Sequence, residues 1–393
     1  MPGAPSLTGR TILQVIPDLE TGGAERTTLE VGAALVRAGA RSLVASAGGG
    51  MVAQLEAEGS EHVTLPISAK SPLEMRRNRA RLLTLIEREN IALLHARSRA
   101  PAWPTLWAAR AANRPFVTTY HGAYGGKTKL KRLYNSVMAR GDVVIANSRF
   151  TEAAIREAFA GWKVLEGRRI VTIPRGADLT RFGEDAVTPA RRAAMQARLG
   201  GEGALRLLLP GRLTEWKGQR TAIEAARLLQ TDPRVPALRV VLAGSAQGRD
   251  GYEEALRAMI ETHGLEDTVH LAGHVEDMPA AYLWSDVTLS CSTRPEAFGR
   301  VAVEAMASGR PVIATALGGS LETVAEGETG LLVPPGDPQA LADAVVRLAD
   351  RDRRAALGAA AARHARARFT TEAMTSATLS VYKDVLAGRE VAR

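Results

Sequence analysis

Cysteine and long apolar runs are scarce in this sequence, and each scarcity excludes a class of protein. Cys291 is the single cysteine among 393 residues, which excludes a disulfide framework and a multi-cysteine zinc site. No run of about 18 apolar residues occurs, so no transmembrane helix is expected. The N-terminal segment also lacks the apolar core of a signal peptide. The sequence therefore predicts a cytoplasmic protein in which Cys291 is a buried thiol.

Length and charge indicate two domains and an anionic partner. A chain of 393 residues is long for one core and fits two, and 46% hydrophobic with 24% charged residues is ordinary for a soluble enzyme. Residues 1–185 carry 26 Lys and Arg against 17 Asp and Glu, whereas residues 186–393 carry 25 of each. The basic half favours an acidic acceptor or a membrane surface over nucleic acid, with a merely solubilising surface as the alternative.

Apolar strand runs alternate with helical patterns along the whole chain. Near-continuous apolar runs such as 11–16 and 91–96 are typical of parallel strands that are buried on both faces. This alternation predicts α/β domains with helices on both faces of a parallel sheet. We place a first domain at 1–185, a polar linker that contains a helix at 186–204, and a second domain at 205–369.

The segment 289–309 concentrates groups that can bind a nucleotide-sugar. It reads as a strand, a loop with Glu296, and a helix that begins near Arg300 and ends at Gly309. The amides of Phe298, Gly299, Arg300 and Val301 lie at a helix N-terminus, where an anion is stabilised. The Glu296 and Glu304 carboxylates can accept hydrogen bonds from hydroxyl groups. Taken alone, a glutamate such as Glu304 also fits a capping role.

Two cations precede another predicted helix of the second half. Arg212 and Lys217 follow the strand that begins at Leu205, and the helix begins near Gln219. Together they can neutralise a diphosphate leaving group, although either one alone would ordinarily form a surface ion pair. Gly244 ends the next strand.

In the first half of the chain, two glycines and one histidine follow predicted strands. Gly22 and Gly23 lie between the first strand and a helix over about 24–38, which lets the backbone approach a phosphate. The segment is neither a dinucleotide fingerprint nor a Walker loop. His121 ends the strand that begins at Pro115, which suits either a structural hydrogen bond or a functional role.

Two basic segments are candidates for acceptor or membrane binding. Arg97 and Arg99 lie in a loop at a strand end, where ligands of open α/β sheets gather; a surface loop packed on Trp103 is the alternative. A basic amphipathic helix follows and carries Lys127, Lys129, Lys131 and Arg132. It suits anionic lipid headgroups, or it is a solvated helix whose apolar stripe faces the core.

The run Glu296-Ala-Phe-Gly, followed by Glu304-Ala-Met-Ala-Ser-Gly-Arg-Pro-Val-Ile-Ala-Thr and then Gly318-Gly319, resembles the E-x7-E signature of retaining glycosyltransferases. It is most similar to glycosyltransferase family 4. This resemblance implies the α/β GT-B fold, with two Rossmann-like doubly wound parallel-sheet domains that face each other across a cleft. It also implies that the last helix, about 370–393, packs back on the first domain.

The resemblance assigns roles to the candidate residues. It makes His121 and Glu296 catalytic. The donor-binding residues it implies are Gly22, Gly23, Arg212, Lys217, Gly244, Val275, Asp277, Phe298, Gly299, Arg300, Val301 and Glu304, with the base near Val275 and Asp277. The acceptor candidates are Glu25, Arg97, Arg99, Lys127, Lys129, Lys131 and Arg132. Arg175 departs from the family, which has asparagine at this position.

The implied activity is retaining transfer of a hexose from a GDP- or UDP-sugar to a hydroxyl of a glycan or lipid-linked acceptor. The 95–103 loop resembles transferases of bacterial lipopolysaccharide core and related envelope glycans. We expect no cofactor or metal, because cations replace a divalent ion and no Asp-x-Asp motif stands out. We also expect no nucleic acid partner, since no such module is present.

Three alternatives stay open: a transferase for a small soluble acceptor, a GT-B nucleotide-sugar epimerase, and a silent binding protein. A peripheral contact with the inner face of the cytoplasmic membrane is one option for its location.

Overall fold

A computed structural model describes residues 6–390, apart from residues 21, 70, 123–127, 236, 247 and 249. The chain forms two compact units, each with its own sheet. Unit 1 comprises residues 1–176 and 371–393, and unit 2 comprises residues 177–370. The predicted α/β class with two parallel-sheet units is confirmed. Lys127, a predicted acceptor residue, lies outside the described residues.

Unit 1 contains a seven-stranded parallel sheet in the order β3-β2-β1-β4-β5-β6-β7. Its central strands are buried along their whole length because helices cover both faces, whereas β3 at the edge is half exposed. The strands are β1 Thr11–Val15, β2 Arg41–Ser46, β3 Glu61–Thr64, β4 Ile91–Ala96, β5 Phe116–Tyr120, β6 Val143–Ala146 and β7 Arg169–Thr172.

Helices connect the strands of unit 1, so each functional loop begins at the carboxyl end of a strand and leads into a helix. Ser148 caps α6, since its hydroxyl accepts from the Thr151 amide at 3.0 Å. The helices are α1 Gly23–Arg37, α2 Val52–Ala57, α3 Pro72–Arg88, α4 Arg99–Ala111, α5 Lys129–Asn135 and α6 Arg149–Ala158, with 3-10 turns at Ser136–Arg140 and Lys163–Leu165.

Unit 2 contains a six-stranded parallel sheet in the order β10-β9-β8-β11-β12-β13. Its strands are β8 Leu205–Pro210, β9 Leu238–Ala243, β10 Val269–Gly273, β11 Val287–Ser290, β12 Val312–Thr315 and β13 Gly330–Val333. Its helices are α7 Pro189–Leu199, α8 Gln219–Leu229, α9 Asp250–Thr262, α10 Met278–Trp284, α11 Arg300–Ala307, α12 Ser320–Thr323, α13 Pro338–Arg347 and α14 Arg351–Arg368, with 3-10 turns at Leu179–Arg181, Glu184–Ala186 and Glu215–Lys217.

The change from unit 1 to unit 2 falls at residue 177, earlier than the boundary that we place at 185. Leu179 and Val187 are buried in the hydrophobic core of unit 2, and the α7 residues Met195 and Leu199 join them there. The segment 186–204 is therefore part of unit 2 rather than a free linker, because its apolar side chains fill that unit's core.

The C-terminal helix α15, Thr371–Glu390, belongs to unit 1. Tyr382 and Leu386 enter the core that covers one face of the sheet. Below the helix, His95 of β4 bridges two elements, with its ring nitrogens 2.5 Å from the Tyr382 hydroxyl and 2.7 Å from the Thr119 hydroxyl.

Among the described helices of the whole chain, none is long and apolar enough to cross a bilayer.

Burial of His95 makes the stability of the protein depend on pH. Burial, with Arg97 close by, holds the pKa of His95 well below its ordinary value of 6.5. Below about pH 6.5 the unfolded chain binds a proton that folded His95 does not, so the free energy of unfolding falls by up to about 1.4 kcal/mol per pH unit. We expect His95→Gln to reduce the slope of unfolding free energy against pH between pH 7 and 5.

Denaturant unfolding at each pH measures this slope. Other histidines contribute to the wild-type slope, because burial also lowers the pKa of His62, His121, His270 and His364. His274→Gln, at an exposed position, is the matched control and should keep the wild-type slope. An unchanged slope in His95→Gln would contradict the assignment.

Candidate functional site

The segment 289–309 forms the strand, loop and helix that the sequence predicts. Strand β11 ends at Ser290, the loop carries Glu296, and α11 runs from Arg300 to Ala307. Gly309 follows in the left-handed conformation at φ +71°, which ends the helix. Glu296 therefore lies at the carboxyl edge of the second sheet, where ligands of doubly wound sheets bind.

Two glycines let neighbouring loops approach the Glu296 loop closely. Gly218 adopts φ +81°, and a Cβ atom there would collide with the Cys291 carbonyl oxygen. Gly319 has ordinary helical angles, yet a Cβ atom would come within 2.5 Å of the Phe298 Cα atom. The Gly319 amide also donates to the Glu296 carbonyl at 2.8 Å. Any larger residue at either glycine would push the loops apart.

Lys217 and Glu296, predicted to bind the diphosphate and the hexose, form an ion pair with each other. The Lys217 ammonium lies 2.8 Å from Glu296 Oε1, and the two side chains are 14% and 18% exposed. The Ser292 hydroxyl donates to the same oxygen, and the ammonium also lies 4.6 Å from the Trp216 ring centroid. Three contacts therefore hold a cation beside a carboxylate at this edge.

Arg212, the second predicted diphosphate ligand, is exposed in the loop after β8. Within the described part of the chain, its guanidinium has no hydrogen bond or ion pair. Beside this loop, Gly244 follows β9, and a Cβ atom there would strike the Gly211 carbonyl oxygen. Of the two predicted diphosphate ligands, Lys217 is thus already paired and Arg212 is open to solvent.

The N-terminus of α11 provides backbone donors. Gly299 adopts φ +85° at the N-cap, so the first amides of the helix, at Arg300 and Val301, have no partner one turn back. The Phe298 side chain points away from them, since it is 5% exposed and packs edge-on against Phe369 in the core. Phe298 can therefore contribute its backbone alone.

Glu304 is held by two side chains. The Tyr282 hydroxyl donates to Glu304 Oε2 at 3.0 Å, and the Arg300 guanidinium lies 2.9 Å from Oε1. Burial, together with the Glu304 carboxylate, raises the pKa of Tyr282 well above its ordinary value, so this hydroxyl stays a donor. Glu304 is consequently fixed in one orientation and can accept further hydrogen bonds from hydroxyl groups.

Asp277 and Val275, the predicted base contacts, have structural partners. Both Asp277 carboxylate oxygens accept from Arg191, at 2.6 and 2.7 Å, and one also caps α10 at the Ala280 amide. The Val275 side chain is 4% exposed and lies in the core of unit 2. The Asp277 carboxylate therefore ties α7 to α10, and its contact with a base stays a prediction. At Val275 the backbone alone could face a base.

In unit 1, the Gly-Gly segment begins α1 beneath an arginine. Gly22 is the N-cap, Gly23 is the first helical residue, and the Glu25 carboxylate folds back against Gly22. The Arg175 guanidinium lies against Gly23, within the space that a Cβ atom would need, and donates to the Thr27 hydroxyl at 3.3 Å. The residue that departs from the family pattern thus occupies the approach to the Gly-Gly backbone.

His121 directly follows β5 and lines a small cavity at the carboxyl edge of the first sheet. The cavity has a volume of about 20 Å³ and is also lined by Arg97, Thr119, Asn147 and Arg175. Burial, followed by the charges of Arg175 and Arg97, holds the pKa of His121 well below 6.5, so its ring is neutral at pH 7. Among the described residues, nothing hydrogen-bonds its buried Nε2 atom.

Arg97 and Arg99 were both predicted to lie in an acceptor loop, but Arg97 is buried and Arg99 is the first residue of a helix. Arg97 is 2% exposed, and its Nε and Nη2 atoms donate to Gln14 Oε1 at 3.0 and 2.5 Å. Arg99 begins α4 and donates to Asn135 Oδ1 at 3.2 Å. The sequence could not reveal this, because charge in a strand-end loop is normally exposed, whereas here the neighbouring elements cover Arg97.

Helix α5 divides its basic residues between surface and core. Lys129 and Lys131 are exposed, whereas Arg132 donates twice to the Ala158 carbonyl and stacks on Trp162. Two leucines in the predicted apolar stripe of α5 face solvent instead of the core, because Leu130 is 77% exposed and Leu133 is 46% exposed. Arg132 is thus a structural residue, and the two lysines with the two leucines form an exposed basic-apolar patch.

Three supporting residues of unit 2 were absent from the sequence prediction: Ser292, Trp216 and Tyr282. Ser292 could have been found, because it lies two residues after β11, in the same loop as Glu296. Trp216 and Tyr282 reach the site from other elements, and no local sequence pattern signals such contacts.

Two family models match the chain. The model described as Glycosyltransferase Family 4 matches residues 21–181, and the model described as Glycosyl transferases group 1 matches residues 192–364. A D-inositol 3-phosphate glycosyltransferase of Corynebacterium urealyticum is 34% identical over 257 residues, which are 63% of this chain and 58% of that protein. The chain thus spans about three fifths of that relative's own length.

Solved structures match nearly the whole chain. A glycosyltransferase from Rickettsia africae is 30% identical with a TM-score of 0.87, over 96% of this chain and 99% of that one. Anabaena HepE, crystallised with UDP and glucose, is 26% identical with a TM-score of 0.78, over 95% and 100%. On this evidence, the chain belongs to family 4 of the GT-B glycosyltransferases.

Proposed function

We propose that this protein transfers a hexose, with retention of anomeric configuration, from a UDP- or GDP-sugar to a hydroxyl of a glycan or lipid-linked acceptor. The observation that carries this proposal is the Lys217–Glu296 pair at the carboxyl edge of the second sheet. Exposed Arg212 and the free amides of α11 lie on loops of the same edge. Such a set of groups matches a diphosphate joined to a polyhydroxylated ring.

Cations and amides stabilise the leaving group in this mechanism. As the bond between the sugar and the phosphate breaks, negative charge develops on the diphosphate, and Arg212, Lys217 and the helix amides stabilise this charge. Glu296 accepts from a hexose hydroxyl once Lys217 turns toward the phosphate, and His121 remains a catalytic candidate. We propose that no divalent metal is needed, because these cations supply the compensating charge.

Removing the Lys217 cation should weaken donor binding. We expect Lys217→Met to lower the affinity for UDP or GDP about 10- to 100-fold, the usual range for a lost charge-assisted hydrogen bond. Thermal shift with UDP-, GDP- and ADP-sugars, with and without magnesium, identifies the donor first, and calorimetry then measures the affinity. Arg257→Met, which removes an exposed ion pair on α9, is the matched control. Wild-type affinity in Lys217→Met would contradict the proposal.

Tyr282 should act as a positioning residue for Glu304, which we expect to accept from the ribose. Tyr282→Phe removes one hydrogen bond to Glu304 Oε2, so KM for the nucleotide-sugar should rise about five- to tenfold with little change in kcat. Steady-state kinetics measures both constants, and Tyr134→Phe, on α5 of unit 1, is the control. Equal losses in kcat and kcat/KM would show that Tyr282 does more than position Glu304.

The acceptor that we propose carries negative charge. Excess positive charge is confined to residues 1–185, and the matched relative from Corynebacterium urealyticum is named for D-inositol 3-phosphate. A phosphorylated polyol would suit such a surface as a soluble acceptor, and a lipid-linked envelope glycan would suit it equally in charge. Assays with both classes, using the donor found by thermal shift, separate a soluble from a lipid-linked acceptor.

We also propose that the exposed patch of α5 contacts anionic membranes. Lys129 and Lys131 lie beside exposed Leu130 and Leu133, and each basic residue near an anionic surface contributes about 1 kcal/mol.

Charge reversal tests the membrane contact. Lys129→Glu with Lys131→Glu should reduce binding to phosphatidylglycerol vesicles about tenfold or more. Flotation with phosphatidylglycerol and phosphatidylcholine vesicles measures this binding. Reversal at exposed Arg351 and Arg353, in the first turn of α14, changes charge equally and should leave vesicle binding unchanged. Equal flotation of both double variants would contradict a membrane contact by α5.

A further inference from the structure

Asn147 directly follows β6 and is 4% exposed. Its Oδ1 atom accepts from the Thr151 hydroxyl at 2.7 Å, and that hydroxyl accepts in turn from Ser148 at 3.0 Å. This chain of donors fixes which end of the amide is the acceptor. The buried Nδ2 atom consequently remains a donor, and it has no hydrogen-bond partner among the described residues.

A second unpartnered group lines the same cavity. The Nε2 atom of His121 is buried and also lacks a partner in the described part of the chain. Buried polar groups in folded proteins are hydrogen-bonded with few exceptions, because each unsatisfied group costs about 1–3 kcal/mol. Two residues with such nitrogens line one cavity, so the cavity offers a position for a polar group that pairs with them.

The size of the cavity selects the kind of group. A volume of about 20 Å³ holds one water-sized group, so a whole phosphate or a sugar ring would have to lie outside it. Arg97 is already engaged by Gln14, which further weakens the case for a bound phosphate. A hydroxyl has one donor and two acceptor positions, so it can accept from Asn147 and also pair with the neutral ring of His121.

We propose that Asn147 and His121 together bind a single sugar hydroxyl in this cavity, which makes Asn147 a further substrate-binding residue. The proposal rests on the transferase function, since a sugar donor and a hydroxyl acceptor supply such groups. The hydroxyl belongs either to the donor hexose or to the acceptor. The neighbouring guanidiniums of Arg97 and Arg175 make the cavity favourable for an oxygen atom that carries partial negative charge.

The test follows His121 by NMR of protein labelled with ¹⁵N-histidine, with His121→Gln to assign its resonances. The full-length wild type and Asn147→Ala are titrated with myo-inositol, D-glucose, UDP-glucose and GDP-mannose. We expect at least one ligand to move the His121 resonance, with a midpoint about 10- to 100-fold higher in Asn147→Ala. Asn147→Ser is the second variant in case the alanine protein does not fold.

Asn78→Ala is the matched control, because Asn78 is equally buried but donates to the Pro66 carbonyl and does not line the cavity. It should keep the wild-type midpoints. A response to nucleotide-sugars alone assigns the hydroxyl to the donor, and a response to myo-inositol assigns it to the acceptor. No response to any ligand, or equal midpoints in wild type and both Asn147 variants, would overturn the proposal.

The experiments distinguish failure of the proposed transferase function from failure of the proposed hydroxyl site. If no nucleotide-sugar raises the thermal midpoint of unfolding, the proposed function fails, while the myo-inositol and glucose titrations still decide the hydroxyl site. A shift that depends on Asn147 then retains that site, and its absence removes it.

Discussion

Close backbone packing at the carboxyl edge of the second sheet is the constraint on which the donor site depends. Gly218 lies against the Cys291 carbonyl and Gly319 against the Phe298 backbone, at distances that leave no room for a Cβ atom. These approaches bring together the loops of Lys217 and Glu296, which are 79 residues apart in sequence. The ion pair that results is half-buried, so it is screened less than a surface pair and holds both side chains in place.

Unit 1 differs from unit 2, because it buries cationic and imidazole groups at the carboxyl edge of its sheet. Arg97 is hydrogen-bonded to a neutral glutamine, and His95 bridges Thr119 and Tyr382 as a neutral ring. Burying a charged or polar group costs free energy that burying an apolar side chain does not. Residues that are buried at this cost concentrate at functional sites. The unpartnered nitrogens of His121 and Asn147 fit the same interpretation.

Local patterns were sufficient for the fold and for the frame of the site. The segment 289–309 predicted β11, the Glu296 loop and α11 with its end at Gly309, and the structure has all three. Contacts between distant segments could not be predicted in this way. The burial of Arg97 depends on elements that cover β4, and the Asp277–Arg191 pair joins two helices far apart in sequence. A sequence pattern shows charge, but it does not show which charges are paired or enclosed.

The measurement that tests the central claim most directly is a proton NMR time course of UDP-glucose and GDP-mannose with the intact protein. The assay includes a mixture of inositol phosphates and lipid-linked glycans as acceptors. We predict that one donor is consumed and that the hexose appears on an acceptor with the donor's α configuration. Donor that stays intact beside folded protein, a β-linked product, or an epimer formed without acceptor would contradict retaining transfer at the Lys217–Glu296 site.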